Sequence, residues 1–403
     1  AVGAEHERPL AKRFSDWPQA AITYFGILVS PCKVRIEIPN GRVTVVPDHE
    51  LGTNDCRGWL RKSLFDKLSL PEGRFYQFRL AFANTQAKGS FKVMSDDVAD
   101  ALETDIVLPQ SSVKPEYKGT SKVLAWLTGE ARTYAGDLIL GIRDYSRPLN
   151  FESSYTVIEH APEDSFELEI KPQALEQAQR LKDVVENGNY GELFDLLGIS
   201  QTQEPVIDEP AEDDEATSAE RSVLEAILKA DPTGYLIQHP WVNNQLQRVL
   251  ARWAYKVCTA GGFKMPAFAL ADDGYLFEHQ GKVYAGSDWI PEDHSINSLA
   301  SARGLVVRYP VRMKEDLLPY AKIPTSALRE LLEKQLRRQG CPETDTLAHR
   351  LIREQLEMEG TFVLHSKTAA KNGGDYDFDF VCVVEDERFP RFVDHRFQYK
   401  GKG

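Results

Sequence analysis

The pattern of apolar and polar positions divides the chain into two strand-rich stretches, with helices between and within them. Between residues 20 and 160, AITYFGILVS, KVRIEI, RVTVVP, FYQFRLAFA and SFKVMS are rich in β-branched and aromatic residues. Gly, Pro and Asn stand between them, a pattern that predicts strands. WLRKSLFDKL (59–68) breaks the series with helical spacing. From Pro172 the period lengthens, and ALEQAQRLKDVVENGNYGELFDLLGI carries apolar residues three and four apart, which predicts helices. SAERSVLEAILKADP (218–232) predicts another, with Ser218 as its N-cap, and NNQLQRVLARWAYKVCTAG one more. Strands return after Phe263 in MPAFAL, in YLFEHQGKVYAG with a turn near Gln280–Gly281, and in GLVVRYPV. A helical insert, SALRELLEKQLRRQG and TLAHRLIREQLEME, precedes FVLHSK. No repeat of solenoid length is present. The expectation is an α+β fold with two β-rich lobes joined by helices.

A chain of 403 residues can bury substantial cores and is expected to form two or three domains. No apolar run reaches the roughly 18–20 residues of a membrane span. The opening AVGAEHERPLAKRF is polar and has no signal-peptide core. A cytoplasmic protein with no membrane partner is expected, with a nuclear location left open. The missing initiator Met and the stop at FQYKGKG suggest a piece of something longer. Cys32, Cys56, Cys258, Cys341 and Cys382 form no CxxC and are odd in number, which favours reduced thiols over disulfides or zinc.

The net charge of −13 lowers the expectation of a nucleic-acid partner. Yet residues 204–220 hold eight acidic side chains and no basic one, so the rest of the chain carries only −5. A nucleic-acid groove needs a local basic lining and not a basic protein.

The candidate chemistry lies in KNGGDYDFDF (371–380), where Asp375, Asp377 and Asp379 alternate and run into the apolar VCVV. Three carboxylates this close repel one another unless a cation sits among them, and hard oxygen ligands suit Mg²⁺ or Ca²⁺. A calcium EF-hand loop is disfavoured, because Phe380 and Asp386 stand where it needs glycine and glutamate. On spacing alone a solvated acidic turn is an equal alternative, and the sharp bend implied by Gly373–Gly374 tilts the reading toward a built site. Mg²⁺ ions held by carboxylates can activate a 3′-hydroxyl and stabilise leaving pyrophosphate in nucleotidyl transfer.

NGGDYDFDFVCVVEDERFP (372–390) resembles the catalytic segment of cellular RNA-dependent RNA polymerases, the two-barrel enzymes of RNA silencing with bacterial and phage single-chain relatives. Other segments resemble that family in order: GILVSPCKVRIEIP, TNDCRGWLRKSLFDKL, RLAFANTQAKGSFKV, SSVKPEY, MPAFALADDGYLFEHQGKVYAG and GLVVRYPVRMKEDLLPY. The resemblance covers most of residues 25–160 and 263–390. It implies two double-psi β-barrels forming a catalytic cleft: residues 1–165 on the lysine side, and 236–403 with a helical insert at 323–359 and the Asp loop at 372–380. A helical connector, 166–235 with an acidic linker at 201–220, joins them.

By the same resemblance Asp375, Asp377 and Asp379 hold Mg²⁺ or Mn²⁺. Lys88 and Lys114 face them and contact phosphates, with Lys92 as the fallback for Lys88, and Arg308 lies against the incoming nucleotide. The implied activity is template-directed RNA synthesis from nucleoside triphosphates, copying RNA or DNA. The alternative is an inactive two-barrel relative that binds nucleic acid. Two departures bear on that choice. Phe378 stands where the family has glycine, a costly residue if the loop needs a positive φ there. Asp55-Cys56-Arg57 lacks the glycine expected after the aspartate.

Overall fold

A computed structural model describes residues 32, 34–39, 41–51, 56–81, 86–113, 138–187, 215–231 and 233–399. The fold is mixed α+β, as expected. No helix among the described residues is long and apolar enough to cross a membrane.

Seven strands form the first sheet: β1 (Val34–Ile38), β2 (Val43–Val46), β3 (Arg57–Arg61), β4 (Tyr76–Ala81), β5 (Gln86–Met94), β6 (Ile106–Pro109) and β7 (Leu138–Tyr145), in the order β1-β7-β4-β5-β3-β6-β2. Alternation decides its two faces. Phe78, Leu80, Ala87 and Phe91 turn into a core with Ile38, Leu60, Ile106 and Leu140. The intervening positions Gln77, Arg79, Lys88, Ser90 and Lys92 are polar and lie on the other face. Among the described residues the edge strands β1 and β2 are not paired with each other. The helix expected over 59–68 is shorter, with β3 running to Arg61 and the helix spanning Lys62–Asp66. Trp59 and Leu60 pair with Lys92 and Ile106, and strand pairing overrides the local spacing.

The second lobe contains β8 (Leu149–Glu152), β9 (Lys264–Ala271), β10 (Tyr275–His279), β11 (Lys282–Gly286), β12 (His294–Ile296), β13 (Arg303–Val307), β14 (Leu317–Lys322), β15 (Thr361–Leu364) and β16 (Phe380–Glu385). Six of these close into a barrel in the order β15-β12-β14-β13-β16-β9, with β9 returning to β15. Phe268, Leu270, Val306, Phe362, Val381 and Val383 fill it. Strand β8, which the sequence places with the first lobe, extends β9 with Leu149 opposite Ala267. The β10–β11 hairpin turns at Gln280–Gly281 as expected, with φ of +52° and +75°.

Helices Lys171–Asn187, Glu215–Ala230 and Pro240–Ala260 share an apolar cluster of Val184, Leu224, Leu228, Leu246 and Trp253. Ser218 lies inside the second of these and not at its cap, because the helix begins at Glu215. The insert forms helices Thr325–Arg338 and Thr344–Leu356, whose Leu332, Leu336 and Leu351 pack over Phe277 and Tyr284. The strand expected within 21–30, the helical pattern over 188–200 and the acidic residues 201–214 lie outside the described residues.

The lobes are joined by a buried ion pair. Arg57 on β3 places Nε 2.6 and 2.7 Å from the two carboxylate oxygens of Asp272, just past β9. Its guanidinium carbon lies 4.6 Å from the Trp59 ring. Both charged side chains are fully buried, and removing one partner of such a pair strands the other charge. Arg57→Ala is therefore expected to lower unfolding free energy by about 3–5 kcal/mol in urea titration. A loss under about 1 kcal/mol would show that the lobes do not depend on this contact.

Candidate active site

The aspartate loop follows a short helix, Ser366–Lys371, and enters β16. Gly373 turns the chain at φ +73°. Gly374 must be small, because a Cβ there would lie 2.8 Å from Leu270 Cδ2 and 3.1 Å from the Ala369 carbonyl. Beyond it the side chains separate by type. Tyr376 is buried in the barrel interior, and its hydroxyl donates to the Leu364 carbonyl at 3.0 Å. Burial holds that phenol well above its ordinary pKa, so it stays neutral. Phe378 packs on the other side, stacked on Phe75 at 6.2 Å between ring centroids and edge-on to Phe380 at 5.4 Å. The two aromatic residues anchor the loop, and the aspartates between them converge. One oxygen from each of Asp375, Asp377 and Asp379 falls within 4.8 Å of the others.

Cations from two different elements meet this cluster. Lys88 of β5 pairs with Asp377 across the lobe interface. Arg308, just after β13, sets Nε 2.7 Å from Asp379 Oδ2. Backbone amides add to the order: Asp375 N donates to Asp379 Oδ2 at 3.1 Å, and Asp377 N to Asp375 Oδ1 at 3.3 Å. The first lobe also grips the loop's main chain, through Gln77 Nε2 on the Asp377 carbonyl at 3.2 Å and Ser90 Oγ on the Tyr376 carbonyl. Three carboxylates against two cations leave an excess negative charge. An all-oxygen donor set of that charge fits a hard divalent cation such as Mg²⁺.

Asp375, Asp377, Asp379, Lys88 and Arg308 are thus brought together. Lys114 lies outside the described residues. Lys92, the fallback, goes elsewhere: its Nζ donates to the Gly274 carbonyl at 2.8 Å and lies 3.9 Å from Asp272.

Of that second, buried network the sequence singles out Lys92 alone, and for a different role. Asp273 accepts from Asp288 N at 2.6 Å and Ile290 N at 2.9 Å. Together Arg57, Lys92, Asp272 and Asp273 place two cations and two carboxylates out of water. Burial, then the Arg57 charge, pushes Lys92 down to about 7, and burial pushes Asp273 up to about 7. The signal was present as alternation: Lys88, Ser90 and Lys92 are polar at every second position of a strand whose other face is apolar. Arg57 and Gln77 both register against Ser90 on that face.

No protein-family model matches the chain, and no curated protein matches it either.

Two expectations follow from this geometry. In the unfolded chain Lys92 keeps its proton to about pH 10.4, while the folded residue releases it near 7. Between those values the unfolded state binds more protons, so stability rises with pH. Asp273 acts in the opposite sense at lower pH, its contribution being lost as pH climbs from the ordinary carboxylate range to about 7. The urea midpoint is expected to climb between about pH 7 and 9, and Lys92→Met is expected to flatten that climb; an unaltered slope in the variant would show that Lys92 is not its source. The second expectation concerns Phe378, which holds φ +94° while buried. Phe378→Gly relieves about 1–3 kcal/mol of backbone strain but forfeits about 3–5 kcal/mol of packing. A net loss of about 2 kcal/mol in stability is expected, and a stabilised variant would show that strain outweighs packing there.

Proposed function

We propose that this chain is the two-barrel core of a single-chain RNA polymerase related to the RNA-silencing enzymes, with double-psi barrels in both lobes. What supports the reading most is one observation: a lysine from one lobe and an arginine from the other meet three alternating aspartates at the seam between the lobes. The order of segments resembling that family supports it independently.

On this reading Asp375, Asp377 and Asp379 would hold Mg²⁺ or Mn²⁺. The bound metal would favour the deprotonated 3′-hydroxyl and offset charge on the departing pyrophosphate. The remaining work belongs to side chains. Lys88, two-fifths exposed beside a largely buried Asp377, can turn its ammonium from that carboxylate to the phosphate being transferred. Arg308 is placed to hold a ribose hydroxyl or a phosphate oxygen with its fork of donors. The 3′-oxygen forms a bond to the α-phosphorus as the bond to the bridging oxygen breaks, and pyrophosphate departs with that oxygen. The substrates are nucleoside triphosphates, and the partners are an RNA or DNA template and the RNA product.

A second reading, a non-catalytic relative that binds nucleic acid, has one observation in its favour. Lys88 and Arg308 already pair with Asp377 and Asp379, which can close the loop without a metal.

Nucleotide incorporation on single-stranded RNA and single-stranded DNA, with Mg²⁺ or Mn²⁺, separates the two. Incorporation by the wild-type chain is expected, with a fall of about 10³-fold or more in Asp379→Asn. Strand binding without incorporation on either template would move the assignment to the second reading.

A further inference from the structure

The polar face that carries Lys88 continues away from the aspartates across neighbouring strands. Lys88 registers against Arg79 on β4, Arg79 against Gly141 on β7, and Gly141 against Arg35 on β1. Registered neighbours share a face with their Cβ atoms about 5 Å apart. The β4–β7 pairing shifts register between Gln77 and Phe78, and Arg143 sits at that irregularity. Its Nη1 donates to Gln77 Oε1 at 3.2 Å, so it reaches the same face. At Gly141 the missing side chain leaves room for the Cys32 thiol.

Arg79 and Arg143 are half-buried, and burial first, then the Arg143 charge, lowers the Arg79 guanidinium from its ordinary value. Arg79 donates to the Phe78 carbonyl at 2.9 Å. Among the described residues neither guanidinium pairs with a carboxylate. Elsewhere on this sheet arginines do find acids, as Arg61 does with Asp96 and Asp105 at 2.9 and 3.1 Å. Two crowded guanidiniums without an anion disfavour the folded state, and an anion between them removes that penalty.

We infer that Arg79 and Arg143 hold successive phosphates of a single nucleic-acid strand whose end lies at the aspartate loop, a placement that rests on the polymerase reading. Strand spacing supports this occupant. Arg79 lies one strand, about 5 Å, from the line of Lys88, and Arg35 lies about 15 Å out. A row of that length matches two or three nucleotides of backbone and exceeds what a triphosphate held at the aspartates needs. Guanidinium forks suit phosphodiester oxygens.

The test is fluorescence anisotropy of a 5′-labelled twelve-nucleotide oligouridylate, without divalent metal or nucleoside triphosphate, over about 50–300 mM salt. The variants are the double changes Arg79→Gln/Arg143→Gln and Arg79→Lys/Arg143→Lys, each checked for a urea midpoint no lower than that of the wild type. Loss of two contacts is expected to weaken binding about tenfold and to flatten the slope of log affinity against log salt by about 1.4 in the glutamine pair. The lysine pair is expected to keep the slope. A glutamine pair that binds with wild-type affinity and slope would overturn the inference. If the glutamine pair fails to fold, Arg79→Gln alone decides: a slope flattened by about 0.7 supports the strand contact, and wild-type affinity and slope overturn it. The assay needs no chemistry. A flattened slope in a protein that incorporates no nucleotide retains the strand site and removes the polymerase; an unchanged slope in an active polymerase does the reverse.

Discussion

The structure depends on one strand delivering alternate side chains across a seam. Strand β5 presents Lys88, Ser90 and Lys92 at every second position, and each one meets the second lobe: Asp377, the Tyr376 carbonyl and the Gly274 carbonyl. Because the period is two, a one-residue slip would withdraw all three and offer Ala87, Gly89 and Phe91 instead. Gly89 guards that register. A Cβ at this position would sit 2.0 Å from the Cys56 carbonyl, so β3 approaches β5 as only a glycine allows. The backbone pairing that orders the first sheet therefore also sets the distance between a lysine and the aspartates.

The seam holds two kinds of charge with different consequences. Arg57 and Asp272 form a buried pair across the seam, and loss of either would strand the other's charge out of water. Lys88, Arg308 and the three aspartates lie nearer solvent and are unmatched. Partly exposed pairs hold their geometry weakly, so Lys88 and Arg308 can exchange a carboxylate for another anion at little cost. The buried Arg57–Asp272 pair and the Lys92–Gly274 hydrogen bond tie the lobes together, and the unmatched cluster is left free to respond to what enters between them.

Much of this was legible in the sequence. Strand and helix periods located most described elements, and the crowded Asp375, Asp377 and Asp379 singled out the loop, since repulsion of that kind rarely persists without a use. Less legible was what pairing decides. Trp59 and Leu60 had helical spacing but were claimed by β5 and β6. Strand β8 joined the second sheet, because an edge of β9 was open to it. Arg57 and Asp272 are separated by more than two hundred positions, and nothing local to either indicates a buried partner. Charge burial of that kind is a property of the assembled seam.

Phe378 shows how those levels meet in a single residue. Its φ of +94° is a conformation that a glycine would adopt without strain, yet its ring bridges Phe75 of the first lobe and Phe380 of the second. A glycine would leave the loop's backbone relaxed but would remove the aromatic contact with Phe75 that adds to the hydrogen bonds from Gln77 and Ser90. The phenylalanine accepts strain of about 1–3 kcal/mol and gains a packed anchor on both sides of the seam. With Tyr376 held in the barrel, both residues that flank Asp377 on the chain are pinned by aromatic burial. The carboxylates are consequently held together by packing, not by mutual attraction, and a loop ordered in that way has its negative charge already assembled before any cation arrives.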